Sequence, residues 1–465
     1  MSDRGDLNLS KTPGASQQVV DSPQTTAKFI SVVGAGLAGS ECAWQLAEKG
    51  HKVRLYEMRS LKLTPAHKTA DFAELVCSNS FGSLSDTSAT GQLKWEAKKL
   101  NSLVLSCAVE TQVPAGQALG VDREKFAAYV SQKIRSHSNI EIIPQIVNDL
   151  NDVPRPAVIA TGPLTDDLLS KSIQNHFGQD FCYFFDAIAP IIDTDSINMD
   201  IAWKADRYDK GTPDYINCPL NKDEYNRLIE EIEKAQKIEP KYFETTQFFE
   251  GCMPIETMVQ RGPQTLRFGP MKPVGLTNPR TGRYPWAAVQ LRMENKEATA
   301  YNMVGFQTRM SYSEQVRVFR LIPGLENAEF LKLGSIHRNL YVNSPMSLSN
   351  TLASKQDPRL YFAGQITGVE GYFESTCIGI LVARFIDESL KGKENSLPPR
   401  ASAFGSLLEA ITEPSRAKNF QPTNINFSLL PKVEDNEIPP EHKRDKSYRK
   451  TIQIKRAQES FLGWL

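Results

Sequence analysis

Two cysteines of this chain have sequence neighbours that could support chemistry on a substrate. Cys252 follows a glycine and precedes a proline by two positions, a pattern that predicts a turn with exposed side chains. Cys77 lies in a stretch of small polar residues, 60–90, that predicts a loop. The thiolate is the reactive form of cysteine, and Glu250 and Glu256 beside Cys252 would not stabilise it. By residue type alone, a buried inert thiol is the commoner interpretation of Cys252.

A basic and aromatic segment follows Cys252. Residues 261–292 contain six Lys or Arg, no acid, three interleaved aromatic residues, and five prolines that exclude a continuous helix. Basic side chains neutralise phosphates and aromatic faces stack on splayed bases, so this segment predicts RNA contact. Arg261, Arg267 and Arg283 are the candidate RNA-binding residues. A basic loop facing an anionic cofactor or the glutamates of a folate is the alternative.

The elements that would position these groups begin with a dinucleotide-binding motif. A buried strand at 29–33 leads through a GxGxxG turn into a helix at 38–49, whose N-terminus would face a pyrophosphate. A second strand ends at Glu57, where an acid accepts both ribose hydroxyls and disfavours a 2′-phosphate. FAD or NAD therefore fits better than NADP. The expected cofactor-binding residues here are Gly34, Ala35, Gly36, Leu37, Ala38, Gly39 and Glu57.

Two later strands end in glycines that suit the same sheet. Residues 156–162 end at Gly162, and residues 360–364 end at Gly364 before a helix at 375–389. A chain that opens and closes in this way is typical of a flavoprotein, so FAD is the expected cofactor. The predicted fold is α/β, with a Rossmann-like FAD-binding domain of the two-dinucleotide flavoprotein type interrupted by an inserted α+β domain.

The pattern between these stretches predicts the domain organisation. Residues 91–106 have the apolar spacing of a helix, and 183–335 are irregular and Pro-rich around one helix at 222–236. Lys and Arg dominate 442–456, which suits a solvated helix face or a nucleic-acid contact. The expected divisions are a disordered N-terminal tail (1–28), the first part of the FAD-binding domain (29–182), an inserted RNA or substrate domain (183–335), the second part of the FAD-binding domain (336–430) and a basic C-terminal tail (431–465).

Composition limits the class of protein. The 465 residues carry 54 Lys or Arg and 54 Asp or Glu, so nucleic-acid binding would depend on local patches rather than on net charge. Seven cysteines without a CxxC, and six histidines apart from them, indicate neither a disulfide scaffold nor a zinc site, and no metal is expected. No apolar run is long enough for a membrane span, and the polar residues 1–28 do not suit a signal peptide. A cytoplasmic enzyme is expected.

Long interior motifs resemble one family, the folate- and FAD-dependent tRNA (uracil-5-)-methyltransferases called TrmFO. The resemblance spans about residues 29–430. The matching stretches are 34–41, 64–67, 75–80, 249–256, 265–276, 303–308, 322–330, 337–339 and 362–372. The related GidA-type tRNA-uridine enzymes share the flavin frame but lack the Glu-Gly-Cys-Met-Pro-Ile-Glu turn around Cys252.

The resemblance implies an activity and roles for the two cysteines. In this family 5,10-methylenetetrahydrofolate supplies the carbon, reduced FAD supplies electrons, NADH or NADPH is the reductant, and a uridine in the tRNA T-arm receives a C5 methyl group. Uracil C5 becomes nucleophilic only after a group adds at C6, and a thiolate suits that addition. The family pattern points to Cys252 for the attack on C6 and to Cys77 for removal of the C5 proton. No obligate protein partner is inferred.

Four other functions remain open from the sequence. The same chemistry on ribosomal RNA, or a GidA-like flavin-dependent modification of tRNA uridine, would use a similar chain. A flavin-containing RNA-binding protein without turnover would have little use for both Cys252 and Cys77. An ordinary flavin oxidoreductase of small molecules would leave the acid-free segment 261–292 unexplained.

Overall fold

A computed structural model describes most of the chain. The described residues are 29–178, 182–187, 189–209, 212–238, 253–295, 297–334, 336–442 and 445–465. The predicted N-terminal tail and Cys252 lie outside these residues.

The elements follow one another in three stretches. The first contains β1 (Ile30–Val33), α1 (Leu37–Glu48), β2 (Val53–Glu57), β3 (Ser80–Ser83), α2 (Ala89–Lys99), α3 (Leu103–Glu110), β4 (Gln112–Val113), β5 (Ala118–Val121), α4 (Arg123–Ser136), β6 (Ile140–Pro144), β7 (Ala157–Ile159) and α5 (Asp167–Phe177). The second contains β8 (Cys182–Ala187), β9 (Ile191–Asp193), β10 (Trp203–Lys204), β11 (Tyr215–Leu220), α6 (Lys222–Lys234), α7 (Ile255–Gln260), α8 (Thr265–Phe268), β12 (Ala287–Met293), β13 (Ala300–Met303), α9 (Tyr312–Phe319), β14 (Phe330–Lys332) and β15 (Ile336–Tyr341). The third contains α10 (Ser344–Ser347), β16 (Leu360–Phe362), α11 (Tyr372–Leu390), α12 (Ala403–Thr412) and α13 (Lys446–Leu462).

The first sheet is the frame of the dinucleotide-binding motif. Its five strands are parallel in the order β16-β7-β1-β2-β6. All four residues of β1 are buried, as expected for a central strand covered on both faces. Helices α1 and α11 pack so closely that a Cβ added at Gly379 would lie 2.4 Å from the carbonyl oxygen of Ala38. The sheet confirms the predicted Rossmann-like FAD-binding fold.

The second sheet has its own core. Its six antiparallel strands have the order β10-β11-β12-β13-β9-β14, with helices α6, α7 and α9 packed on it. Strands β8 and β15 pair with each other where the chain leaves and rejoins the first region. This α+β unit is therefore inserted into the FAD-binding fold, as the sequence predicts. We call it the second domain.

The segment 431–465, predicted as a basic tail, contains helix α13 among its described residues. Ala457 and Phe461 on this helix are fully buried. Gln458 Nε2 donates to Gln92 Oε1 of α2 at 3.3 Å. Helix α13 thus packs on the FAD-binding domain.

Candidate active site

The glycine-rich turn after β1 leaves room for a phosphate group. Gly34 has a φ of +97°, and a Cβ there would lie 2.7 Å from the carbonyl oxygen of Ala160. A Cβ at Gly39 would lie 1.8 Å from the carbonyl oxygen of Gly34, so only glycine lets α1 approach the turn. A Cβ at Gly36 would meet no atom within 4 Å, although this residue lines a deep cavity. The open space at Gly36 suits a ligand that approaches the backbone.

The cavity brings together most of the predicted cofactor residues and one of the two candidate cysteines. Ala35 and Gly39 are not among the residues that line it, whereas the other predicted cofactor residues are. The predicted residues that line it are Gly34, Gly36, Leu37, Ala38, Glu57, Cys77, Gly162 and Gly364.

An ion pair at the end of β2 organises the polar end of the cavity. The Glu57 carboxylate accepts the backbone N–H of Ala35 at 2.7 Å and the Nε–H of Arg59 at 3.0 Å. Burial acts to raise the pKa of Glu57, but Arg59 and these hydrogen bonds hold it below its usual value, so the carboxylate is charged. The Arg59 Nη1 group is buried without a hydrogen-bond partner among the described residues. It can therefore donate to a ligand.

Arg59 and His67 are cavity residues that the sequence reasoning did not single out. Arg59 could have been found from its place two positions after the predicted ribose-binding acid. His67 Nδ1 lies 2.6 Å from Thr64 Oγ1. Burial and the charge of Arg59 lower the pKa of His67 to about 4, so the imidazole is neutral at neutral pH.

The Cys77 loop lies at the side of the cavity that faces the second domain. The backbone N–H groups of Cys77 and Ser78 donate to the Tyr372 hydroxyl at 2.7 and 3.2 Å. Lys332 of the second domain donates from Nζ to the carbonyl oxygen of Val76 at 3.2 Å. Cys77 is half-buried in the lining, where it could contact a ligand.

Four other cysteines are excluded from nucleophilic roles. Cys42, Cys107, Cys218 and Cys377 are each at most 1% exposed. Burial raises the pKa of each of these thiols, that of Cys107 to about 12. They remain protonated and inaccessible at neutral pH.

Some cations of the acid-free segment 261–292 bind other parts of the protein, and several are exposed to solvent. Arg267 Nε donates to the Trp286 carbonyl oxygen at 2.9 Å, and its guanidinium lies 3.9 Å from the Trp286 ring centroid. Arg280 donates to three backbone carbonyl oxygens near β10, and Arg292 bonds to the loop after Cys77. The exposed members include Arg261, Lys272, Arg280, Arg283, Phe268 (73% exposed) and Tyr284 (55% exposed).

Metal sites and membrane spans are both absent from the part of the chain that the structure describes. These residues contain no group of three or more His, Cys, Asp or Glu side chains that could hold a metal ion. Every helix in the described ranges is too short or too polar to cross a bilayer.

The fold and the cavity define a flavoprotein of the GidA type. The family model described as "Glucose inhibited division protein A" matches residues 29–394. Two crystal forms of GidA from Aquifex aeolicus superpose with TM-scores of 0.65 and 0.63 at 17% identity. The alignments cover 94% and 93% of this chain and 73% and 76% of those chains. At this identity the likeness shows the fold alone.

Closer relatives define the family. The methylenetetrahydrofolate–tRNA-(uracil-5-)-methyltransferase TrmFO of Bdellovibrio bacteriovorus is 70% identical over 435 residues, 94% of this chain and 98% of that protein. The proteins of the same name from Koribacter versatilis and Aquifex aeolicus are 51% and 49% identical over 94% of this chain, covering 98% and 96% of their own lengths. The chain belongs to the TrmFO family.

Proposed function

We propose that this chain methylates C5 of a tRNA uridine, with the carbon of 5,10-methylenetetrahydrofolate and electrons from FAD. The observation that carries the proposal is 70% identity over 94% of the chain to a protein named for this activity. The finer features are a T-arm uridine as the target, NADH or NADPH as the reductant, the cytoplasm as the location and no obligate protein partner.

The cavity residues fit FAD. The open space at Gly36 and the N-terminus of α1 would hold the pyrophosphate, and the Glu57 carboxylate would accept the ribose hydroxyls. The unpartnered Arg59 Nη1 gives this end of the cavity a further donor. Gly162 and Gly364 line the same cavity from the ends of neighbouring strands. Once bound and reduced by NADH or NADPH, FAD would supply the hydride that converts the transferred methylene to a methyl group.

The two predicted cysteines divide the remaining chemistry in this proposal. Cys252 adds to C6 of the uridine, which makes C5 nucleophilic enough to take the methylene carbon. Cys77 then removes the C5 proton, and tetrahydrofolate leaves as its bond to the methylene carbon breaks. After the hydride has reduced the methylene, the bond between Cys252 and C6 breaks and the C5–C6 double bond forms again. The position of Cys77 in the cavity lining and the cations near its loop support a thiolate that could act as a base. The assignment of Cys252 rests on the sequence.

The exposed part of segment 261–292 would bind the tRNA. Phe268 and Tyr284 offer aromatic faces beside Arg261 and Arg283. Arg267 supports this surface by stacking on Trp286, immediately before β12. The far end of β12 contacts the Cys77 loop, and seven strand residues span roughly 20 Å. The surface would therefore bind a part of the tRNA that lies some distance from the uridine that reacts near Cys77.

Methylation with defined RNAs tests the proposed function. The purified protein should show a flavin spectrum and methylate tRNA only when methylenetetrahydrofolate and NADH or NADPH are present. A tRNA with cytidine in place of the T-loop uridine is the matched control and should not be methylated. Methylation of ribosomal RNA but not of tRNA would reassign the substrate, and turnover without folate would refute the proposal.

A further inference from the structure

The Cys77 loop is held from the second domain at several points. Arg292 Nε donates to Asn79 Oδ1 at 3.0 Å, and its Nη2 donates to Ser78 Oγ at 2.8 Å. Asn79 Nδ2 in turn donates to the carbonyl oxygen of Met293 at 2.9 Å, and Asn79 is fully buried. The loop position is therefore fixed by the end of β12.

Two cations meet at the residue before Cys77. Arg123 Nη1 lies 3.3 Å from the carbonyl oxygens of both Leu75 and Val76, and Lys332 Nζ lies 3.2 Å from that of Val76. Burial, Arg123 and Lys68 lower the pKa of Lys332, whereas a thiolate at Cys77 would act to raise it. Both cations therefore contact the carbonyl oxygen of the residue that precedes Cys77.

An acid from the second domain holds one of these cations. Both Glu294 oxygens contact Arg123, with 2.6 Å from Nε to Oε2 and 3.0 Å from Nη2 to Oε1. The Glu294 and Arg123 side chains are only 6% and 15% exposed, so solvent screens the pair weakly. The charged or titratable described groups around the Cys77 loop include Arg123 on α4, Arg292 on β12, Glu294 after it, Lys332 on β14, Tyr372 on α11, Lys68, and His67 and Glu74 in the cavity wall.

We propose that Arg123 and Lys332 are positioning residues that keep Cys77 in its thiolate form, and that the carboxylate of Glu294, paired with Arg123, offsets part of the charge of that guanidinium. The second domain would then set the reactivity of a cysteine in the FAD-binding domain. This inference rests on the proposed function, in which Cys77 acts as a thiolate.

The pH dependence of Cys77 alkylation tests the inference in the FAD-loaded protein without tRNA or folate. Iodoacetamide forms a carbon–sulfur bond with loss of iodide and reacts with the thiolate, so the midpoint of rate against pH reports its protonation. Mass spectrometry of the Cys77 peptide separates this site from other cysteines. Lys332→Gln should raise the midpoint by about one unit, and Lys332→Arg should restore it.

A second variant, Glu294→Gln, shows whether the midpoint in Lys332→Gln shifts because a charge is lost or because packing around Cys77 is disrupted. Removing a negative charge while Arg123 keeps its carbonyl contacts should lower the midpoint, opposite to the effect of Lys332→Gln. Arg317→Gln, which removes an exposed arginine paired with Glu314 in the same domain, should leave it unchanged. Shifts of Lys332→Gln and Glu294→Gln in the same direction, or no shift in Lys332→Gln, would overturn the inference. If the variants shift the midpoint as expected but the unaltered protein does not methylate tRNA, that result would instead count against the proposed function.

Discussion

At the residue scale, the space at Gly36 means that a larger side chain there should block FAD binding without disturbing the fold. Gly36 has a φ of −72°, which any residue adopts, and a Cβ there meets no protein atom within 4 Å. We expect Gly36→Val to fold but to purify with little or no flavin, as measured by the absorbance ratio of flavin to protein. Gly463→Val, at a φ of −70° in the C-terminal segment, is the control and should retain flavin. Full flavin content in Gly36→Val would show that the turn does not bind FAD.

The roles of the two cysteines can be distinguished by whether replacing each one prevents formation of a covalent adduct with the tRNA. A 5-fluorouridine tRNA has no C5 proton to lose, so the bond between protein and C6 should persist and retard the protein in a denaturing gel. Cys252→Ala should abolish the retarded band, whereas Cys77→Ala should keep the band and lose methylation of normal tRNA. Flipping the base out of a loop costs on the order of a few kcal/mol. Contacts between the tRNA and the proposed RNA surface could supply this free energy.

Other outcomes of the adduct experiment assign the roles differently. A band lost only in Cys77→Ala would reverse the two roles, and a band kept in both variants would mean that another residue attacks C6. Cys218→Ala is the control, because Cys218 is fully buried and lies in the separate core of the second domain.

His67 should make the flavin-free protein less stable in mild acid. Its pKa of about 4 in the folded protein lies below the ordinary histidine value of 6.5, so the unfolded chain binds more protons between these pH values. The free energy of unfolding should therefore fall as pH drops from about 6.5 to 4, by about 2 kcal/mol after allowance for solvent screening. Urea unfolding at several pH values measures the loss. His67→Gln should reduce the pH dependence.

At the element scale, the exposed half of segment 261–292 should determine the salt dependence of tRNA binding. Removal of one cation that neutralises a phosphate should reduce the slope of log affinity against log salt by roughly 0.7–0.9. Arg261→Gln with Arg283→Gln should therefore flatten the slope by between one and two, whereas Arg317→Gln should not. Arg267→Gln should weaken binding partly because its stacking on Trp286 is removed, an effect that Arg267→Lys would not restore. An unchanged slope in the triple variant at Arg261, Arg267 and Arg283 would rule out this surface.

The elements that the sequence predicted well are those with strong local signals. The helix expected at 38–49 is Leu37–Glu48, and the strand expected to end at Glu57 does so, because glycines and buried β-branched runs fix their limits. The single helix suggested by the spacing of 91–106 is wrong. Asn101, at a φ of +54°, breaks it, and Ser102 caps a second helix by accepting the backbone N–H of Leu105.

The second sheet and the surroundings of Cys77 could not be predicted in detail. Strands such as β10 and β14 are two and three residues long, too short for a periodic pattern, and their pairing depends on distant partners. The contacts of Arg123 with Glu294 and of Arg292 with Asn79 join residues 171 and 213 positions apart. Charge and spacing along the chain do not reveal such pairs, whereas the glycine motif of the cofactor cavity is local.

At the scale of the whole molecule, the described residues contain two large hydrophobic cores, and the Cys77 loop forms hydrogen bonds from the region of one to the region of the other. One core includes β1, β7 and β16 of the first sheet, and the other includes β11, β12 and β13 of the second. The cavity proposed to hold FAD is lined mainly by residues of the first region, so FAD binding should stabilise the two cores unequally. At a concentration 100-fold above its dissociation constant, a ligand that binds only the folded state adds about 2.7 kcal/mol.

Hydrogen exchange measured with and without FAD would reveal this division. Amides of β1, β2 and the Cys77 loop should exchange more slowly with FAD, whereas amides in the middle of β11 and β13 should change little, because local openings of separate cores need not be coupled. Glu294→Gln weakens the junction between the cores and should confine the FAD effect further to the first region. The same comparison in Gly36→Val should show no FAD effect anywhere. If FAD instead slowed exchange equally in both sheets, the two regions would open as one cooperative unit, and the junction would transmit cofactor binding to the domain proposed to hold tRNA.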